Sequence, residues 1–311
     1  MSNAYHRIET LLFPASSDRW LGFLRMALGI QIMLYCWSLR HDWMVLFSTN
    51  ANGMIRRDLP EAILNAESAL IPRLGWLVET FGKLDLGEDF ALWTTWLLLL
   101  VSGVLLLSGL FSRSAAISAW FLHLCAVKSG NLMAYGMDNF TTIGLFYLMF
   151  SPLPDRYALD HRMREVRLKD PHLVGFFRRV LQLHLCIIYF SSGVTKSLGA
   201  GWWNGTSMWR ALTTPPFNMI PVDSLLMMSW LFPLVGIGVC LFELSYPFLI
   251  WRMQTRFVYL LVVIALHIAI AFSMGLYLFS LVMIVLNIAA FGIPLTRSRE
   301  KIATGPIAAA A

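Results

Sequence analysis

Apolar stretches of about twenty residues, separated by short polar turns, set the pattern of this 311-residue chain. A helix that crosses a bilayer needs about 20 predominantly apolar residues. Ala91–Leu110 and Gly275–Pro294 carry no charge; Trp20–Leu39 holds only Arg25, Leu225–Trp251 only Glu243, and Phe257–Leu276 only His267. Ala115–Leu132, Tyr135–Leu153 and Phe177–Val194 are similar stretches flanked or interrupted by isolated polar groups. The pattern predicts an all-α integral membrane protein with about eight transmembrane helices. Between the first and second spans, Asp58-Leu59-Pro60-Glu61 reads as the start of an outer amphipathic helix reaching Phe81, because Asp caps and Pro suits a first turn. Residues 1–19 are expected to form a cytoplasmic N-terminal segment too short and polar for a cleavable signal. Residues 20–294 form the membrane domain with an extracytoplasmic loop over 41–89, and 295–311 a cytoplasmic tail whose Ala308–Ala311 end reads as disordered.

Composition narrows the class. The chain is 58% hydrophobic and 14% charged, with a mean hydropathy of +0.65, whereas a soluble domain is about 45–50% apolar and about 25% charged. That excludes a soluble globular enzyme, a disordered protein and a nucleic-acid binder, and makes the lipid bilayer the first partner. The formal net charge is +6, and the basic residues concentrate in the loops that eight spans put on one side with both termini. Arg113, Arg156, Arg162, Arg164, Arg167, Lys169, Arg252, Arg256, Arg297, Arg299 and Lys301 all fall there. The other side receives His41–Asp89, where eight acids outnumber four bases. By the excess of Lys and Arg in cytoplasmic loops, both termini are cytoplasmic. Cys36, Cys125, Cys186 and Cys240 lie in apolar stretches with no CxxC spacing, and read as small buried hydrophobes rather than disulfides or metal ligands.

An ionisable group at membrane depth costs at least ~2.5–3.5 kcal/mol, so each one calls for a partner or a task. Counted from the span ends, Arg25 and Glu243 both lie toward the inner side, and a structural pair between them is expected. Lys128, Asp138, Asn139, Lys196 and His267 lie nearer the outer face. A lysine at a helix end can simply snorkel, and His123 and His184 read as packing residues. Around Lys196 the sequence says more. Tyr189, Gly193 and Lys196 fall on one helix face by their i, i+4, i+7 spacing. Gly193 leaves room there for a backbone or a flat ligand, and Trp202 and Trp203 follow the helix-ending Gly199 and Gly201. Desolvation in such a dry, aromatic place disfavours the charged form of an amine, which would make Lys196 a usable general base.

This segment resembles the vitamin K-dependent γ-glutamyl carboxylase family and its bacterial relatives, the HTTM (horizontally transferred transmembrane) domain proteins. The likeness is carried by Tyr189-Phe190, Gly193-Val194, Lys196, Trp202 or Trp203, and Gly205-Thr206-Ser207-Met208. Leu24-Arg25-Met26 with Gly29, Phe242-Glu243 with Pro247, and His267 followed by Met274-Gly275 and Phe279 extend it, in the family's order, from Trp20 to Phe291. The resemblance implies that Lys196 deprotonates a reduced quinone of the vitamin K type, with O2 and CO2 as co-substrates. It places His267, Asp138 and Asn139 at the catalytic site, with Asn139 standing where the family has a histidine. Tyr189, Gly193, Trp202, Trp203 and Met274 would line the cofactor pocket. Two readings follow: a quinol-dependent enzyme of a bacterial inner membrane that modifies a secreted peptide or protein, or a non-catalytic accessory or partner-binding protein, such as a toxin-peptide maturation factor, that keeps the fold.

Overall fold

The computed structural model describes residue 6 and residues 9–49, 56–163 and 169–293, and every regular element among them is helical. Five helices are long and apolar enough to cross a membrane: α1 (Arg19–Leu39), α5 (Glu88–Ser108), α9 (Pro171–Ser197), α13 (Leu231–Leu249) and α14 (Met253–Met274). Three further helices pack among them, of which the last is apolar. They are α6 (Ser112–Ser129), α7 (Gly136–Phe150) and α15 (Tyr277–Asn287), the last continued by a π-helical turn over Ile288–Gly292. The Ala308–Ala311 tail and the basic residues Arg164, Arg167, Arg297, Arg299 and Lys301 lie outside the described residues.

Helix α1 is the hub, packing on α5, α7 and α15. Gly29 meets Gly103 where α1 crosses α5: a Cβ on Gly29 would stand 2.7 Å from the Leu107 nitrogen and 2.8 Å from the Gly103 carbonyl. Small residues at such a crossing let backbones approach, which is how helices gain contact when lipid offers no hydrophobic drive between them. α9 pairs with α13, and α15 joins this second group to the first. Leu234, Leu241 and Phe248 of α13, and Phe257, Leu261, Ile268 and Phe272 of α14, remain exposed. Rows of exposed large apolar side chains on this scale are a surface for lipid.

The predicted outer helix is two helices, α3 (Asp58–Glu67) and α4 (Leu74–Gly82). The break spans Ser68–Arg73 and contains Pro72, which cannot continue a helical hydrogen-bond ladder. Asp58 is the first helical residue and not the cap, a position taken by Arg57. Buried Arg57 organises this layer: its guanidinium donates to the Phe47 carbonyl at 2.8 Å, to Glu61 at 2.9 Å and to Glu88 at 2.7 Å. Two of the eight acids in this segment, Glu61 and Glu88, therefore serve a folded polar layer, completed by the short α2 (Trp43–Phe47).

Beyond α7 the chain forms α8 (Leu159–Met163) before α9. After α9 it turns through α10 (Ala200–Trp203), α11 (Thr206–Thr213) and α12 (Val222–Met227) before α13 begins. α10 and α11 lie on the first half of α13, where Gly236 meets the Trp202 carbonyl and Gly205, at φ +83°, meets Pro233. A side chain at either glycine would strike backbone.

Candidate functional site

The face of α9 read from sequence, Tyr189–Gly193–Lys196, turns onto α13. A Cβ on Gly193 would stand 2.8 Å from the Leu244 nitrogen and 3.0 Å from Glu243 Cβ, so this glycine brings the two backbones together and Lys196 across from Glu243. Lys196 Nζ donates to both carboxylate oxygens of Glu243 at 2.7 Å and to Ser192 Oγ at 2.6 Å. The Trp202 ring lies 5.2 Å from the same nitrogen, within cation–π range. The Lys196 side chain is 21% exposed and that of Glu243 7%.

Two expectations change here. Glu243 does not pair with Arg25. Arg25 is fully buried and donates to Asp155 at 2.6 and 3.3 Å, and to the carbonyls of Leu106 and Leu107. α9 ends partway along α13, and α10 and α11 then fold back over the first half of α13. Lys196 thus comes level with the thirteenth of the nineteen α13 residues. Nor does the amine stand alone in apolar surroundings, since Glu243 gives it a counter-charge.

About 10 Å along α9 from Lys196, at 1.5 Å per residue, Tyr189 opens a second polar group. Its hydroxyl lies 3.2 Å from His267 Nε2 and accepts from Asn287 Nδ2 at 3.0 Å. Asn287 Oδ1 in turn accepts from the Tyr246 hydroxyl at 2.7 Å. The Tyr189 and Tyr246 rings lie 4.2 Å apart. All four side chains are buried, and His267 Nδ1 has no hydrogen-bond partner among the described residues. An unpartnered polar atom at such a site costs free energy unless a further group reaches it, so His267 offers one free hydrogen-bonding position beside the tyrosines.

The remaining predicted residues lie elsewhere. Buried Asp138 accepts from the Tyr135 backbone N–H at 3.0 Å in a capping box at the start of α7, and lines a cavity that neither Lys196 nor His267 touches. The Phe279 ring stands 5.6 Å from that of His267 and 6.0 Å from that of Phe140 on α7. Asn139 is exposed in the first turn of α7. Trp203 is exposed and donates to the Ser197 carbonyl at 2.7 Å. Met274 packs in a small cluster with Leu212, Leu225 and Phe232, next to Met208 and Trp209. Sequence reading missed Ser192, Tyr246, Asn287 and Asp155. Asn287 carried a usable signal, being a lone amide in an uncharged apolar stretch. Asp155, in a loop 130 residues from Arg25, carried none.

Comparison with known proteins gives one positive result. A family model described as HTTM domain matches residues 86–292. No curated protein and no solved structure matches the chain.

Proposed function

The chain belongs to the HTTM domain family, since the match covers about two thirds of its length, and from that premise we propose that it is a multi-pass membrane enzyme that acts on a reduced quinone at the Lys196–Glu243 pair. The observation that carries this reading is the pair itself: an amine and a carboxylate 2.7 Å apart, roofed by Trp202, two helical turns along α9 from a tyrosine that contacts a buried histidine with a free nitrogen. In the same proposal α6, α7 and α15 with its π-turn cross the bilayer as well, giving eight spans over residues 20–294. Both termini face the cytoplasm of a bacterial cell, and the membrane is its inner one.

When bound, a reduced quinone supplies an acidic ring hydroxyl and two reducing equivalents, with O2 and CO2 as co-substrates if the reaction is a carboxylation. Lys196 Nζ shifts one proton to a Glu243 oxygen, which exposes a free amine. That amine takes the proton of the hydroxyl. The pair would then have gained one proton in all, held as a Lys196 ammonium and a protonated Glu243, and that ammonium would supply a positive charge to the bound ring, where an opposite charge is worth most in a dry site. Ser192 and Trp202 hold Nζ in place, Tyr189 fixes the His267 ring, and His267 Nδ1 provides a hydrogen bond for orientation. The peptide or protein that receives the product of this chemistry is secreted.

The test uses purified protein in lipid nanodiscs, with oxygen uptake measured on addition of reduced menaquinone or vitamin K and bound lipid identified by mass spectrometry. Lys196→Arg keeps a cation opposite Glu243, but a guanidinium gives up no proton at accessible pH. Uptake is expected with the wild type and lost in Lys196→Arg at unchanged melting temperature. Phospholipid as the sole bound lipid, with no uptake by the wild type, overturns the proposal and favours the second reading. In that reading the closed Lys196–Glu243 pair is a helix clamp in a non-catalytic accessory protein.

A further inference from the structure

Under the outer layer, where α1, α2, α6 and α7 converge, lies a cavity of about 120 Å³. Its walls are apolar, among them Phe47, Ala126, Met133 and Met137. Four polar side chains interrupt them: Ser129, which is bonded to Glu61 and the Leu74 N–H, the exposed Tyr135, and the buried Tyr35 and Asp138. Tyr35 is 4% exposed and Asp138 7%. The Tyr35 ring is fixed edge-on against His123, with centroids 4.9 Å apart, but its hydroxyl makes no hydrogen bond among the described residues. Asp138 spends one oxygen on the Tyr135 N–H. Apart from this contact and its own backbone N–H, no described side chain hydrogen-bonds to the carboxylate, and no cation among the described residues lies within ion-pair distance of it. Leu132 and Met133, each 49% exposed, stand at the mouth.

We infer that this cavity is a binding site for a small hydrophobic amine, separate from the Lys196 site and independent of the function proposed there. Size sets the apolar part: a cavity of about 150 Å³ with apolar walls takes up benzene, so this one holds a single ring or a short alkyl chain. Charge sets the head. A carboxylate sunk in apolar walls without a counter-ion is costly, and a cation with hydrogen-bond donors offsets that cost where an alcohol does so only in part. The Tyr35 hydroxyl accepts a second N–H of the same ammonium. A carboxylate-bearing ligand of the same shape is repelled.

Benzylamine, benzyl alcohol and phenylacetate are the probes, titrated against the full-length protein in nanodiscs with melting temperature as the readout. Benzylamine is expected to raise it saturably, benzyl alcohol to bind at least tenfold more weakly, and phenylacetate not to bind. Asp138→Asn keeps an oxygen for the Tyr135 N–H but removes the charge, and is expected to weaken benzylamine at least tenfold while leaving benzyl alcohol unchanged. Should that variant fold poorly, Met133→Trp, which fills the mouth without touching the cap, is expected to abolish binding of both. Lys196→Arg is expected to bind benzylamine like the wild type. Absence of saturable binding, equal binding of phenylacetate, or full benzylamine affinity in Asp138→Asn or Met133→Trp overturns the inference. Loss of benzylamine binding in Lys196→Arg overturns the separateness of the two sites.

Discussion

Arg25 and Asp155 form the most enclosed ion pair among the described residues, with both side chains at 0% exposure, and Asp155→Asn tests what holds the first helix group together. The substitution preserves shape and the oxygen that accepts the Tyr157 N–H at 2.9 Å, while removing the charge opposite the guanidinium. Arg25 would keep the carbonyls of Leu106 and Leu107, at 2.5 and 3.1 Å, and the longer 3.3 Å contact to the retained, now uncharged, oxygen. Breaking a buried pair by removing one partner costs about 3–5 kcal/mol because an uncompensated charge stays behind. At roughly 2–4 °C per kcal/mol for a chain of about this size, the melting temperature should fall by about 6–20 °C. Replacing both members, Arg25→Met with Asp155→Asn, removes the orphaned charge and should recover most of that loss. Melting of the purified protein in one fixed lipid composition reads both variants. If Asp155→Asn melts within about 2 °C of the wild type, or the double variant melts no higher than the single, the pair is not the lock described here.

The close helix approaches give further expectations. Gly236→Ala puts a methyl group 2.2 Å from the Trp202 carbonyl and should cost about 1–3 kcal/mol as an overpacked contact. On the same helix, Gly238→Ala meets nothing within 4 Å and should stabilise by up to about 1 kcal/mol; thermal unfolding of the two side by side checks the sign of each. Asn287→Ala strips the fully buried Tyr246 hydroxyl of its acceptor, an expected loss of about 1–3 kcal/mol, and Tyr246→Phe in the same background should return part of it.

The helices were legible because lipid leaves a chain few choices: backbone groups must be satisfied within the segment, so apolar length alone locates spans. The Tyr189–Gly193–Lys196 face was legible for the same reason, since helical periodicity fixes which residues share a side. Pairing across helices was not. Arg25 has its partner in a loop, and no periodicity links the two. Counting from the ends of apolar stretches did not show that Lys196 meets Glu243, because α9 ends partway along α13 and α10 and α11 cover the first half of that helix. Asp138 looked like a neighbour of Lys196, yet it caps α7 and faces another cavity; nothing in a single sequence says which side of an aromatic contact such as Phe140–Phe279 a residue will occupy.

Whether the Lys196–Glu243 pair is a clamp or a working group can be decided from energetics without knowing the substrate. Two charges drawn out of water repay their desolvation only in part, and replacing a buried pair with apolar residues of similar volume is often neutral or stabilising by about 1–4 kcal/mol. Lys196→Met with Glu243→Leu makes that replacement here, and Ser192 can turn its hydroxyl to a carbonyl of its own helix. If the pair exists for proton transfer, the double variant should melt at or above the wild type and lose all turnover. Lys196→Met alone should melt lower, because it strands a carboxylate that is 7% exposed at a cost of about 3–5 kcal/mol. A clamp predicts no such recovery. The double variant would then melt as low as the single one, since its stabilising contact is gone in both, and the proton-transfer reading would lose its physical basis.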